Sequence, residues 1–276
     1  LDEAQQKYVE SYYKKVASVH MLPLGATRAV CEDAKDTECR ILFPGTYDRP
    51  DAVYQIVENA PEPLGSTMKD LIERRLADPT LPMEEAFLQQ LKEKDLELPA
   101  GQFALFMNSM YAVDAYVRDY FRKAALDALL AEKLPVTVFG EGWEKYSYRD
   151  ERSLRREPAV PFALSFERIA KAHVLLNVSP IFNRGMHDRV PAGMANHAVV
   201  LTDENPYLRR TFTDGEELLF YSLVKPDTLC EKAERTLTDV RLREKIAASA
   251  YETFEREYTW KRRAEHILAF AEEVEA

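Results

Sequence analysis

Asn177-Val178-Ser179-Pro180-Ile181-Phe182-Asn183-Arg184-Gly185-Met186-His187-Asp188-Arg189 joins an apolar run at 174–178 to a segment with helical spacing at 186–195. A short strand apolar on both faces, followed by a glycine-containing loop and a helix, is the connection of a parallel sheet. In an open parallel sheet, ligands lie beyond the carboxyl ends of the strands, so this loop is the first place to look for chemistry. A helix N-terminus at that edge offers free N–H groups and partial positive charge, which suits a diphosphate. Gly185 lets the backbone approach phosphate oxygens. Arg189 supplies a planar, permanently charged fork, and His187 can donate to the same anion or to a leaving oxygen. A lone arginine at a helix start is more often a surface residue, and a lone histidine more often structural. The grouping of Asn, Ser, Gly, His and Arg in one loop is what lifts this segment above that background.

Working outward, the same rhythm repeats. Downstream comes a strand at 198–202. Asn205-Pro206 then opens a helix, with Asn as cap and Pro in the first position. Asp214-Gly215 turns the chain into a strand at 218–221. Three apolar stripes at helical spacing follow, the last capped by Thr259. Upstream, a helix is expected at 165–172 with Ser165 as N-cap. Strand 136–139 runs into Gly140-Glu141-Gly142-Trp143, and strand 39–43 into Pro44-Gly45. A polar loop is expected at 31–38, an apolar stretch at 19–24 and a first helix at 4–17. Residues 50–132 are helical almost throughout, punctuated by prolines. That is too much helix for one crossover, so a helical insertion is expected at about 60–115. The fold class is therefore α/β: a Rossmann-like parallel sheet with helices on both faces, plus a helical insertion.

The residues just after the strands are the candidate ligand contacts: Gly45 and Tyr47; Gly140, Gly142 and Trp143; Asn177, Ser179, Phe182, Arg184 and Gly185; and Asp203. Trp143 either stacks on a base or sugar, or only packs. Gly140-x-Gly142 is no dinucleotide fingerprint, because the third glycine and a following acidic residue are missing. That absence argues against a flavin or nicotinamide enzyme. The formal charge of −10 argues against general nucleic-acid binding. No run approaches the ~18 apolar residues of a membrane span, and no signal-peptide pattern opens the chain. Cys31, Cys39 and Cys230 have no metal-ligand spacing and suit a reducing, cytoplasmic setting. The chain begins at Leu1, so a preceding segment is expected.

The stretch 172–221 resembles the C-terminal domain of group 1-type glycosyltransferases, closest to the subgroup of spore-maturation-type proteins. The matching pieces are Leu176-Asn177-Val178-Ser179-Pro180, Gly185-Met186-His187-Asp188-Arg189-Val190, Met194-Ala195-Asn196, Val200-Leu201-Thr202-Asp203 and Phe212-Thr213-Asp214-Gly215-Glu216-Glu217-Leu218. Leu42-Phe43-Pro44-Gly45-Thr46-Tyr47 and Val138-Phe139-Gly140-Glu141-Gly142-Trp143 resemble the earlier glycine loops of that family, and Tyr258-Thr259-Trp260-x-x-Arg263 its closing helix.

This resemblance implies a GT-B architecture and a chain that is its donor-binding half. Residues 1–38 would link to, and end, a missing N-terminal domain that holds the acceptor. Residues 39–276 would bind a nucleoside-diphosphate sugar as substrate, with no cofactor and no metal; the acceptor stays unknown. His187 and Arg189 would neutralise the diphosphate, and Ser179 and Gly185 would hydrogen-bond it. Asn177, Phe182 and Trp143 would line the pocket, with Phe162 near the base. The sequence departs from the family at Arg184 and Ala192, where two glutamates are usual, at Pro191 and at His197. Those departures carry the alternative: a catalytically degenerate nucleotide-sugar-binding or assembly module.

Overall fold

Strand-forming runs without a polar face must be covered on both sides, and here they build one sheet. In the computed structural model, which describes residues 2–13, 15–16, 18–29 and 39–275, the strands are β1 (Ile41–Pro44), β2 (Val136–Phe139), β3 (Leu154–Glu157), β4 (Val174–Asn177), β5 (Val199–Asp203) and β6 (Leu219–Tyr221). All pair in parallel, in the order β3-β2-β1-β4-β5-β6. The chain winds outward from β1 to β3, then returns to lay β4 on the other side of β1. The carboxyl ends of β1 and β4 therefore flank the point where winding reverses, which is where open sheets of this order form a crevice. The loop expected at 31–38, Cys31 included, lies outside the described residues.

Period-two alternation divides the strand side chains between two cores. Ile41, Phe43, Val174, Leu176, Val199 and Leu201 face one; Leu42, Leu175, Val200 and Phe220 face the other. On the first face lie α2 (Pro50–Glu58), α3 (Leu64–Ala77), α4 (Met83–Glu93), α5 (Ala100–Asn108) and α6 (Tyr111–Ala131), all within the β1–β2 crossover. They bury Val57, Leu71, Phe87, Phe103 and Leu126 respectively. The helix α10 (Asp227–Thr238) covers the same face through Leu229 and Ala233. The second face is covered by α7 (Phe162–Lys171), α8 (Arg189–Ala195), α9 (Pro206–Thr211) and α11 (Val240–Thr253). A single π turn at Phe254–Tyr258 leads into α12 (Trp260–Glu275), and Thr259 Oγ1 accepts from the Arg262 amide at 3.2 Å, as a cap should. Before the sheet comes α1 (Glu3–Tyr12), whose N-cap Asp2 accepts from Ala4. No described helix is long and apolar enough to cross a membrane.

Three expectations need correction, and one strand was not foreseen. The first helix stops at Tyr12 rather than 17, because the chain folds back and Gln6 bonds both Val19 O and the Met21 amide, at 2.8 and 3.1 Å. Ser165 does not cap α7. The helix starts at Phe162 after Pro161, and the Ser165 hydroxyl donates inward to Phe162 O at 2.5 Å. The helix α8 starts at Arg189 rather than 186. Pro191 has no amide hydrogen, so it must sit among the first helical positions, where no bond is owed. Finally β3, Leu-Arg-Arg-Glu, is a strand with no apolar face; an edge position tolerates that polarity.

Candidate functional site

At the reversal point of the sheet lies a cavity of about 730 Å³. One wall is main chain: Pro44-Gly45-Thr46 after β1 and Phe139-Gly140-Glu141 after β2. The facing wall is largely apolar, from Val160, Phe162, Phe166 and Ile169, with Trp260 and the Leu24-Gly25-Ala26 segment at the edge. Between them sit the polar groups His187, Asp188, Arg189 and Arg122.

The glycine wall is tight. Gly45 N donates to Phe139 O at 3.0 Å, and a Cβ on Gly140 would stand 2.1 Å from Gly45 O. Gly140 has φ +130°, so neither space nor conformation admits a side chain there. The two loops thus meet backbone to backbone.

Arg189 is the first residue of α8, and its side chain is almost fully buried. Its partner is His187. A guanidinium can only donate and a carboxylate can only accept. His187 Nδ1 stands 2.5 Å from Asp188 Oδ1, and Nε2 stands 2.9 Å from Arg189 Nη2. The only neutral tautomer that satisfies both carries its proton on Nδ1 and accepts at Nε2. The approaches of Arg189 N and Nε to Nδ1, at 3.2 and 3.3 Å, are then contacts rather than bonds. Burial, reinforced by the Arg189 charge, pushes the imidazole down to about 4, so it is neutral near pH 7. Burial alone would raise Asp188, but the His187 hydrogen bond and the neighbouring charges outweigh it and hold the carboxyl below its usual range.

The second cation, Arg122, comes from α6 and was not foreseen. Its Nη1 donates to Thr46 O, which ties the helix to the loop after β1. Burial, then the Arg189 and Arg118 charges, press it down to about 9, still cationic at neutral pH. Burial lowers Arg189 as well. Arg122 Nε and Arg189 Nη1 are buried N–H groups with no partner. Two mutually repelling buried cations, each with an unspent donor, are poised to receive an anion.

Of the residues singled out from the sequence, Gly45, Gly140, Phe162, His187 and Arg189 line the cavity. The others do not, and each has a local reason. Trp143 is core: it stacks on Tyr47 at 5.1 Å and donates Nε1 to Gly45 O at 2.7 Å, so both aromatics lie behind the glycine wall. Gly142, at φ +87°, permits that packing. Asn177 donates to Thr202 Oγ1 at 2.9 Å, and Ser179 gives its hydroxyl to Asn177 Oδ1 at 3.3 Å. Asp203 accepts the Ser179 amide at 2.8 Å, beneath the site. Phe182 packs edge-on against the His187 ring at 5.1 Å. Arg184 turns away to Glu85, at 3.1 Å, and Gly185 bridges to Asp2. His187, expected as a donor to the anion, has both nitrogens committed and instead orients Arg189. Among the described residues, no cluster of three His, Cys, Asp or Glu could hold a metal ion.

Two buried groups here titrate in opposite senses. Burial pushes Asp203 up to about 6, against the pull of the Ser179 amide and Arg189. As pH falls below 6, the folded state takes up the Asp203 proton before the unfolded chain does, and stability is gained. As pH falls from 6.5 towards 4, the unfolded chain protonates His187 first, and stability is lost. Each amounts to about 3 kcal/mol at about 1.4 kcal/mol per pH unit, so they nearly cancel. His187→Gln should unmask the first. Its stability relative to the parent should improve by about 2 to 3 kcal/mol between about pH 6.5 and pH 4.5 in urea titrations. A pH-independent difference would refute these protonation states.

The sheet order and the crevice define a Rossmann-like α/β fold, in the form that occurs in GT-B glycosyltransferases. Residues 118–269, more than half of the chain, match the family described as glycosyl transferase-like, and the chain belongs to it. No curated protein matches the sequence. Among solved structures, the sucrose-phosphate synthase of Thermosynechococcus elongatus superposes with a TM-score of 0.54 at 11 % identity, over 99 % of this chain and 57 % of that one. S. aureus TarM, in complex with Fondaparinux, α-GlcNAc-glycerol and UDP, gives 0.51 at 9 %, over 98 % and 42 %. The pneumococcal O-GlcNAc transferase GtfA, in complex with UDP and GlcNAc, gives 0.50 at 14 %, over 99 % and 43 %. The chain thus spans 42 to 57 % of the lengths of these proteins, and the likeness is one of fold.

Proposed function

We propose that the cavity holds the diphosphate of a nucleotide-sugar donor and that this chain is the donor-binding part of a glycosyltransferase. The observation that carries the reading is the pair of largely buried guanidiniums, Arg122 and Arg189, which both line the cavity and each keep one buried N–H without a partner. Transfer breaks the bond between the anomeric carbon and the diphosphate oxygen, and negative charge grows on the leaving group. Fixed cations in a site shielded from water stabilise that charge most when they need no reorganisation. The His187–Asp188 relay holds Arg189 in place for this. The Phe162–Phe166 wall offers an apolar surface for a base, and the bare backbone at Gly45 and Gly140 admits phosphate or sugar oxygens closely. The two cations do the work that a metal ion does elsewhere, so we expect binding without one. We read residues 1–38 as the connection to an acceptor-binding domain, and we favour the spore-maturation-type branch on the Gly185–Arg189 stretch.

A thermal-shift series with UDP, GDP and ADP, with and without a chelator, tests the reading. A nucleotide at ~100 times its Kd adds about 2.7 kcal/mol, which at this chain length is roughly 5 °C in Tm. No shift with any nucleoside diphosphate would count against it. One observation favours a second reading, a binding module without turnover: Ala192 lines the cavity at a position where the resemblance leads one to expect a glutamate. Binding with no transfer or donor hydrolysis, in a chain that includes an acceptor domain, would select that reading.

A further inference from the structure

The loop between β4 and α8 has almost no regular structure, yet its backbone polar groups are held one after another. Asn205 Nδ2 donates to Phe182 O and Gly185 O at 2.7 and 3.0 Å, from the β5–α9 side. The opposite side is held by the helical layer of the β1–β2 crossover. Arg75, on α3, is only 1 % exposed; its Nη2 donates to Pro180 O at 3.0 Å, and its Nη1 pairs with Asp114 on α6. Asn183 Nδ2 spans Pro79 O, just after α3, and Pro180 O, at 2.7 and 2.8 Å.

A buried arginine is costly to desolvate unless its partners are fixed, and a simpler residue would have filled this space. Of its two hydrogen-bonded partners, Asp114 is on a helix and the Pro180 carbonyl is in the loop, where Asn183 donates to that same carbonyl. From that anchored segment, Phe182 leans on the His187 ring at 5.1 Å, and His187 in turn holds Arg189. We infer that Arg75 is a positioning residue for the anion site: with Asn183, it clamps the extra helices of the crossover onto the loop that presents His187 and Arg189. The helical layer then has a task beyond covering the sheet, since it fixes the wall of the cavity that carries charge. This rests on the proposed reading of the cavity for what the ordered loop serves.

The test compares Arg75→Met, close in volume and without donors, with the parent. It uses two readouts: the NMR titration of His187, assigned with His187→Gln, and UDP affinity by calorimetry. Loss of the clamp should loosen the loop, hydrate His187 and raise its midpoint by at least about one pH unit. UDP affinity should fall at least ~10-fold, as expected when a charged hydrogen-bonding group is misplaced. A lowered Tm alone counts for nothing, since any buried arginine would give it. An unmoved midpoint in the folded variant overturns the assignment, as does a moved midpoint with UDP affinity intact. If the parent binds none of UDP, GDP and ADP, the donor reading has failed, and the His187 midpoint alone decides the clamp; if it binds GDP or ADP instead, that nucleotide replaces UDP in the calorimetry. Should Arg75→Met not fold, Asn183→Ala removes the second half of the clamp, and the same two readings decide.

Discussion

Arg189→Ala should weaken UDP binding at least ~100-fold, about 3 kcal/mol, which is the range for deleting one partner of a desolvated charge pair. The side chain is nearly fully buried, lines the cavity, is bonded through Nη2 to His187 and keeps a buried Nη1 without a partner. A phosphate in the cavity therefore meets a guanidinium already oriented, with little rotamer freedom left to lose. Arg189→Lys should recover little. An ammonium has three donors but only one nitrogen, which cannot stand at both the Nη1 and Nη2 positions of the fork. Calorimetry with UDP, run alongside urea melts to show that each variant is folded, measures the effect. Equal Kd values for parent and Arg189→Ala would remove the electrostatic basis of the site.

Gly142→Ala should cost about 4 kcal/mol of stability. Its Cβ would stand 1.8 Å from Tyr47 O and 3.0 Å from Tyr47 C, at φ +87°. The obstacle is backbone on the neighbouring loop, so no rotamer change relieves it. Separating the loops would unstack Trp143 from Tyr47 and break the bond from Trp143 Nε1 to Gly45 O. The natural control is Gly101→Ala in α5, where a Cβ meets nothing within 4 Å. There the helix should gain roughly 0.5 to 1 kcal/mol. Urea midpoints of the two variants against the parent give the comparison, and similar midpoints for both would contradict the steric argument.

The parallel sheet was legible because its strands are short, apolar on both sides and spaced by helical stripes; 174–178 and 198–202 were each recognised within a residue or two. The start of α9 was legible because Asn205-Pro206 encodes a cap chemically, and Asn205 Oδ1 does accept from the Leu208 amide at 2.8 Å. The edge strand β3 was not, since Leu154-Arg155-Arg156-Glu157 has no period to detect. The site was half legible. Glycine and arginine after a strand pointed to the edge where the cavity lies. Which neighbouring side chains enter the cavity depends on partners distant in sequence. Trp143 looked like a ligand platform until Tyr47 stacked on it. Asn177, Ser179 and Asp203 looked like polar ligands but spend their groups on one another. Arg122 gave almost no signal, because one arginine on a long amphipathic helix is ordinarily solvent-facing. His187 lines the cavity as its position suggested, but its contacts to Asp188 and Arg189, which set its tautomer, could not be read from the sequence.

The two walls of the cavity differ in what a mutation can reach. Where Gly45 and Gly140 touch main chain to main chain, a Cβ has no room at Gly140 and a side chain is strained by the φ of +147° at Gly45, so that side is closed to variation. Phe162, on the facing side, is 68 % exposed and can change size and polarity at little cost to folding. Divergence of ligand preference within this lineage, and any laboratory library meant to redirect it, should therefore concentrate around Val160, Phe162 and Phe166, leaving the glycine side as an inherited constant.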